Sequence, residues 1–188
     1  MSSNKRDAIL NAALVLFAER GYDGTTMPMI AELAKVGAGT IYRYFESKQI
    51  LVNTLYRQCL REFADTLQEE APSPKAPVRE QFRHVFHRMV HFARQNIYAL
   101  LFIDSHTGGH YLDEQSQQQF HQFLGSLKDV LERGKQQGII SPLPSEALIA
   151  IVFGAFVRTY KVIRNGALED SPELMEQVEK CCWNAIRC

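Results

Sequence analysis

Apolar side chains recur at helical spacing along almost the whole chain, and nowhere do they alternate with the period of two that marks a half-buried strand. Ile9, Ala12, Ala13, Leu16 and Phe17 draw one face of a first helix, and Gly21 supplies its stop. A second, short helix opens after Thr25-Thr26, where a threonine caps the free amides and Pro28 is tolerated because the first turn needs no donor. It should carry Ile30, Leu33 and Ala34 inward. Lys35-Val36-Gly37 makes a turn, and Ala38 to Phe45 a third helix of about two turns. Ser47 then caps a long fourth helix to about Glu70, with Leu51, Leu55, Cys59, Phe63 and Leu67 falling four apart on one face. At about 1.5 Å per residue it reaches roughly 36 Å, enough to connect two domains. The stretch APSPKAP, Ala71 to Pro77, cannot continue it. Further helices are predicted over Val78 to Arg94, Ile97 to Ser105, Leu112 to Gln137 and Ser145 to Asn165. A last one follows Ser171-Pro172, an N-cap with proline at the first position, and ends near Cys188. The pattern predicts an all-α protein of about nine helices.

Composition narrows the class. A chain of 188 residues, 46% hydrophobic and 22% charged, has the make-up of a globular protein with ample chain for a core. The longest apolar run, Ala147 to Val157, has eleven residues, short of the ~20 a membrane-spanning helix requires. MSSNKRDAIL at the N-terminus has no hydrophobic signal region, so a cytoplasmic location is expected. Cys59, Cys181, Cys182 and Cys188 show neither a paired framework nor metal-ligand spacing and read as reduced thiols. Net charge is zero. In residues 1–48, Lys5, Arg6, Arg20, Lys35, Arg43 and Lys48 stand against Asp7, Glu19, Asp23, Glu32 and Glu46. Any nucleic-acid signal must therefore lie in where the charges sit.

The stretch GAGTIYRYFESK, Gly37 to Lys48, supplies such a placement. On a wheel of about 100° per residue, Ala38, Ile41 and Phe45 cluster on a packing side, while Gly39, Thr40 and Arg43 point away with Tyr44 at the flank. Gly39 allows another backbone to approach; Arg43 offers a fork matched to guanine O6 and N7, and Thr40 can touch a thymine methyl or a phosphate. Tyr42 lies nearer the packing side, so its ring should be half-buried and its hydroxyl directed at a phosphate. Three short helices around a tight turn make a helix-turn-helix whose last element enters a major groove. Lys48 follows the Ser47 cap, where the helix dipole disfavours a cation; the position makes sense if a phosphate is held there jointly by the ammonium and the amides. The same argument applies to Thr26.

FAERGYDGTT followed by IAELAKVGAGTIYRYFESKQIL resembles the N-terminal DNA-binding region of the TetR/AcrR family of bacterial transcriptional regulators, over about residues 5 to 55. The shared set is a first helix ending in Phe-Ala-x-x-Gly-Tyr, a Thr-Thr cap, Ile-Ala-x-x-Ala, Gly-Thr-Ile-Tyr-x-Tyr-Phe and Ser-Lys. Lys35, where a turn glycine is usual, and Gly37, where a capping serine is common, depart from it. By matching position the resemblance implies phosphate contacts from Thr26, Tyr42, Tyr44 and Lys48, and base-edge contacts from Ala38, Gly39, Thr40 and Arg43. It also implies a DNA-binding domain over residues 1–48 and a domain over residues 49–188 that holds an inducer pocket and the homodimer contact.

In that second part, Phe82, Phe86 and Met89, then Phe102, Phe120 and Phe123, then Phe153, Phe156 and Tyr160 give the middle helices an aromatic-rich side that suits a packed core or a cavity for an apolar or aromatic guest. The long fourth helix would transmit the presence of a guest to the DNA-binding end. His84, His87 and His91, at turn spacing along one helix, and His106 and His110, which flank Gly108-Gly109 close after Asp104, read as half-exposed residues that could orient a ligand, so no metal and no cofactor is expected. Gly154 and Ala155 permit close helix approach, and Leu174, Val178, Cys181, Cys182, Ala185 and Ile186 form a broad apolar side, so the last two helices should pair across a two-fold axis. The expected function is a ligand-responsive regulator, a repressor, that binds a near-palindromic operator as a dimer. The alternative is an all-helical enzyme or carrier whose first helices do not read DNA; the chain shows no GxSxG, HExxH or phosphate-binding glycine loop to favour it.

Overall fold

A computed structural model describes residues 2–188, with side chains from Lys5 onward. Among the described residues the chain forms nine helices: α1 (Ser2–Arg20), α2 (Met27–Leu33), α3 (Ala38–Tyr44), α4 (Lys48–Gln68), α5 (Val78–Gln95), α6 (Ile97–His106), α7 (Glu114–Gln136), α8 (Ser145–Arg164) and α9 (Pro172–Ile186). The all-α expectation holds, and the only extended pairing among these residues is an isolated bridge between Ile140 and Arg187. No described helix is long and apolar enough to cross a membrane.

The helices gather into two compact units, one of residues up to Phe63 with Asn96–Phe120, the other of Ala64–Gln95 with His121–Cys188. The first unit thus joins the N-terminal helices with α6. There α6 packs on α1: Phe17 lies 6.0 Å from the Phe102 ring and 5.8 Å from His106.

In the first unit the buried stripe of α1 is Ile9, Leu10, Ala12, Ala13, Leu16 and Phe17, met by Met27, Ile30 and Ala31 of α2, Ile41 of α3 and Phe45. Leu33 is 49% exposed rather than inward, because a seven-residue helix that buries Met27, Ile30 and Ala31 has turned Leu33 to the edge of that face. Thr25 and Thr26 divide the work of the turn. Thr25 is buried and its hydroxyl donates to the carbonyls of Leu16 (3.2 Å) and Gly21 (2.8 Å), closing the end of α1. Thr26 caps α2 by accepting from the Met29 amide at 3.4 Å.

The end of α2 explains one departure from the family pattern. Lys35 N–H donates to Glu32 O and Val36 N–H to Ala31 O, the paired bonds of a Schellman turn, and Lys35 sits at φ 55° in the left-handed region that favours glycine. Gly37, by contrast, is the N-cap of α3 at φ −64° and provides no side-chain cap.

In the second unit Val78, Leu131, Ile140, Leu148, Trp183 and Ile186 form a core cluster. Gly134 of α7 makes it possible: a Cβ there would lie 2.4 Å from Ile140 Cγ1 and 3.1 Å from Val78 Cγ1. The carboxylate of buried Glu179 receives both terminal nitrogens of Arg79, one at 2.9 Å, and the same guanidinium lies 5.1 Å from the Trp183 ring. Phe86, Phe156 and Tyr160 meet edge to face at 5.5 and 5.0 Å.

Candidate nucleic-acid interface

The outer face of α3 is built by exclusion. Ile41 and Phe45 point into the unit, Thr40 and Tyr44 sit half-buried at the sides, and Ala38, Gly39, Tyr42 and Arg43 are exposed on one contiguous arc. Tyr42 is 49% exposed, so about half of it is covered, whereas Ala38 is exposed, not packed. The wheel that placed Ala38 inward assumed that Phe45 continues the helix. In fact Phe45 leaves it at φ −141°, ψ 107°, so Phe45 reaches the core from extended backbone and the buried face centres between Ile41 and Tyr44. The Arg6 guanidinium, 5.6 Å from the Phe45 ring, covers that junction. A Cβ built at Gly39 meets nothing within 4 Å, so the backbone there is open to approach. Among the described residues no partner holds the Arg43 guanidinium.

Lys48 is placed differently from a simple phosphate ligand. Its ammonium donates to the backbone carbonyls of Tyr22 (2.8 Å) and Thr25 (2.9 Å) and lies 4.0 Å from the centre of the Tyr22 ring. Two of the three N–H groups are thereby spent inside the chain, fastening the start of α4 to the turn before α2. Ser47 caps α4 by accepting from the Ile50 amide at 3.2 Å.

Behind this turn stands a polar hub that the periodicity did not reveal. Asn53, 1% exposed on the inner side of α4, donates to Gln49 O (2.9 Å) and Tyr111 O (2.8 Å) and accepts from the Asp113 amide and the Ser116 hydroxyl, each at 2.8 Å. Arg57 pairs with Asp113 at 2.8 Å. The sequence signal was an asparagine among Leu51, Val52 and Leu55, one turn from Gln49 on one side and Arg57 on the other. His106 is also buried. Its Nδ1 lies 3.0 Å from Phe102 O and 2.9 Å from Ser105 Oγ, while Nε2 has no hydrogen-bond partner among the described residues. Burial lowers its pKa to about 4, against a weaker opposing effect of the Phe102 carbonyl.

The candidate ligand residues divide between the units. Phe102, enclosed by Phe17, Tyr56 and His106, and half-buried Phe120 belong to the first. Phe82, Phe86, Met89, Phe123, Phe153, Phe156 and Tyr160 belong to the second, where Phe86, Met89, Phe156 and Tyr160 are buried and the others half-buried. The second unit also has a charged cleft of about 220 Å³ lined by Arg79, Arg83, His87, Glu176, Glu179 and Lys180. His84, bonded at 3.1 Å to Leu67 O, His87 in the cleft and exposed His91 point apart, and among the described residues no three metal-ligating side chains converge. On α8 and α9 the expected apolar side splits: Cys182 and Ile186 turn inward, whereas Ile151, Gly154, Ala155, Cys181 and Ala185 are exposed and Leu174 and Val178 half-buried. Burial pushes the Cys182 thiol up to about 11, with lesser contributions from Cys181 and Glu179, so it stays protonated.

The family described as "Bacterial regulatory proteins, tetR family" matches residues 9–55, and "Tetracyclin repressor-like, C-terminal domain" matches residues 56–188. The chain belongs to the TetR family. This TetR-family protein is a ligand-responsive transcriptional regulator. It is 27% identical over 159 residues to the HTH-type transcriptional regulator YhgD of Bacillus subtilis, covering 84% of this chain and 83% of that one. It is 26% identical over 136 residues to the fatty acid metabolism regulator protein of the same organism, covering 70% and 69%. A TetR family transcription regulator from Marinobacter aquaeolei shares its fold at a TM-score of 0.84 and 22% identity, over 99% of this chain and 97% of that one.

Proposed function

We propose that this TetR-family regulator acts as a repressor, binding a near-palindromic DNA operator as a homodimer and leaving it when a small, largely apolar or aromatic molecule binds. The exposed arc of Ala38, Gly39, Tyr42 and Arg43 carries the reading, since it presents a donor fork, an aromatic hydroxyl and a bare backbone on one side of a groove-sized helix. Base edges are read by Ala38, Gly39, Thr40 and Arg43, and phosphates are met by Thr26, Tyr42, Tyr44 and Lys48, with Lys48 acting chiefly through its charge. The exposed small and apolar residues of α8 and α9 support pairing of two copies, and the aromatic side chains of the second unit support an apolar effector. A relative named for fatty acid metabolism is in keeping with such a ligand. The same residues serve regulation rather than catalysis.

Selection of bound sequences from random duplexes by the purified protein, followed by footprinting, tests the reading. The expected site has two half-sites whose centres lie about 10 bp, one helical turn, or slightly more apart. A footprint over one asymmetric half-site, or sedimentation as a monomer at micromolar concentration, refutes the dimeric operator. Linkage requires the effector to bind the DNA-free form more tightly, and a coupling of about 1–3 kcal/mol weakens operator binding about 5- to 150-fold.

A further inference from the structure

We infer that Tyr111, on the loop between α6 and α7, is a positioning residue for the DNA-binding face, acting through Tyr22 on Lys48. The inference rests on the DNA-binding reading above and adds a residue that does not touch DNA.

Tyr111 stacks on Tyr22 with ring centres 3.9 Å apart and planes 15° from parallel. The Lys48 ammonium lies 4.0 Å from the same Tyr22 ring. A ring and an ammonium at those distances cannot share one face, so Tyr22 is held between Tyr111 and Lys48. Lys48 in turn holds the carbonyls of Tyr22 and Thr25, and the next residue, Thr26, caps α2. A chain of contacts therefore runs from Tyr111 to the start of the helix on which α3 is seated. Stacking on one face of Tyr22 fixes the plane that the cation meets on the other.

The loop is constructed to present this ring. The Tyr111 carbonyl accepts from Asn53 (2.8 Å) and Gln49 (3.2 Å), both on the first turns of α4. Gly108 takes φ +81°, and a Cβ on Gly109 would stand 2.5 Å from Tyr111 Cζ and 2.8 Å from its hydroxyl oxygen. The Gly108-Gly109 pair thus has separate duties: one makes the turn, the other leaves room for the tyrosine ring. Any side chain at position 109 must move the ring or the loop.

The test measures binding of the full-length protein to a fluorescently labelled duplex of random sequence at low salt, with thermal unfolding followed in parallel. Tyr111→Phe keeps the stack and should bind as the unsubstituted protein does. Tyr111→Ala and Gly109→Ala should each weaken binding about three- to ten-fold. In a Lys48→Ala background, where the last link is gone, Tyr111→Ala should add less than about two-fold. A structural role alone would give the same loss with and without Lys48. Additive losses, an unaltered affinity for Tyr111→Ala, or a Tyr111→Phe defect as large as that of alanine each overturn the positioning role. If Tyr111→Ala does not fold, Gly109→Ala and its combination with Lys48→Ala decide the matter by the same criteria. No binding by the unsubstituted protein refutes the DNA reading and this role with it, whereas normal binding by that protein and by Tyr111→Ala refutes this role alone.

Discussion

Acidification should destabilise the first unit through one side chain, His106. Its ring is 1% exposed, and its ring neighbours Phe17, Phe102 and Tyr111 bring no counter-charge. One nitrogen has only the Phe102 carbonyl and the Ser105 hydroxyl, and the other has no partner among the described residues, so an imidazolium would be buried without compensation. The native pKa falls to about 4 from an ordinary 6.5. Between those values the unfolded chain accepts a proton that the folded chain refuses, so stability is full above about pH 6.5 and declines as the pH falls towards 4. At 1.36 kcal/mol per pH unit the whole loss is about 3 kcal/mol, with about 2 kcal/mol gone by pH 5. The assay is urea unfolding of the protein and of His106→Phe at pH 7.5 and pH 5.0, at one protein concentration because association shifts apparent stability. Phenylalanine fills the ring volume without titrating, so lost hydrogen bonds give an offset that does not depend on pH. The stability difference between the two proteins should move by about 2 kcal/mol in favour of His106→Phe on going to pH 5.0. Parallel pH dependences would refute the neutral, uncompensated histidine.

Three further outcomes follow from particular contacts. Lys35→Gly should stabilise the protein by about 1 kcal/mol and raise the thermal midpoint by about 2–4 °C, because glycine occupies the left-handed turn at φ 55° without strain; no change would mean that the turn relaxes in solution. Arg79→Ala should cost about 2 kcal/mol in urea unfolding, since it leaves the buried Glu179 carboxylate without its two donors; a loss below about 0.5 kcal/mol would contradict that burial. On a selected operator Arg43→Ala should cost about 1–3 kcal/mol and relax base preference, whereas Lys48→Ala should weaken all duplexes alike. An unchanged salt slope for Lys48→Ala would remove Lys48 from the phosphate contacts and leave it only the Tyr22 and Thr25 carbonyls.

The helices themselves were legible in the sequence, because helical periodicity, proline at Pro28 and Pro172, and the caps Thr26 and Ser171 are local signals that fix where an element begins and which face is apolar. The four-apart stripe of α4, Leu51 to Leu67, is buried along its whole length. The family pattern, which usually has a turn glycine at this position, marks Lys35 as unusual, in keeping with its φ of 55°.

Only the tertiary structure decided the rest, and the reasons are physical. A wheel assumes that the helix continues, so it misplaced Ala38 where Phe45 turns into extended backbone. Partner choice for α6 depends on a contact between Phe17 and Phe102, residues far apart in the chain, and no periodicity encodes which apolar face meets which. The surroundings of Lys48 were hidden for the same reason: its charge was readable, but the two carbonyls and the ring that hold it come from the turn after α1. Composition could name Gly109, Tyr111 and Asn53 as a glycine, a tyrosine and an asparagine. That one clears space for the second and the third anchors its carbonyl exists only once the chain has folded.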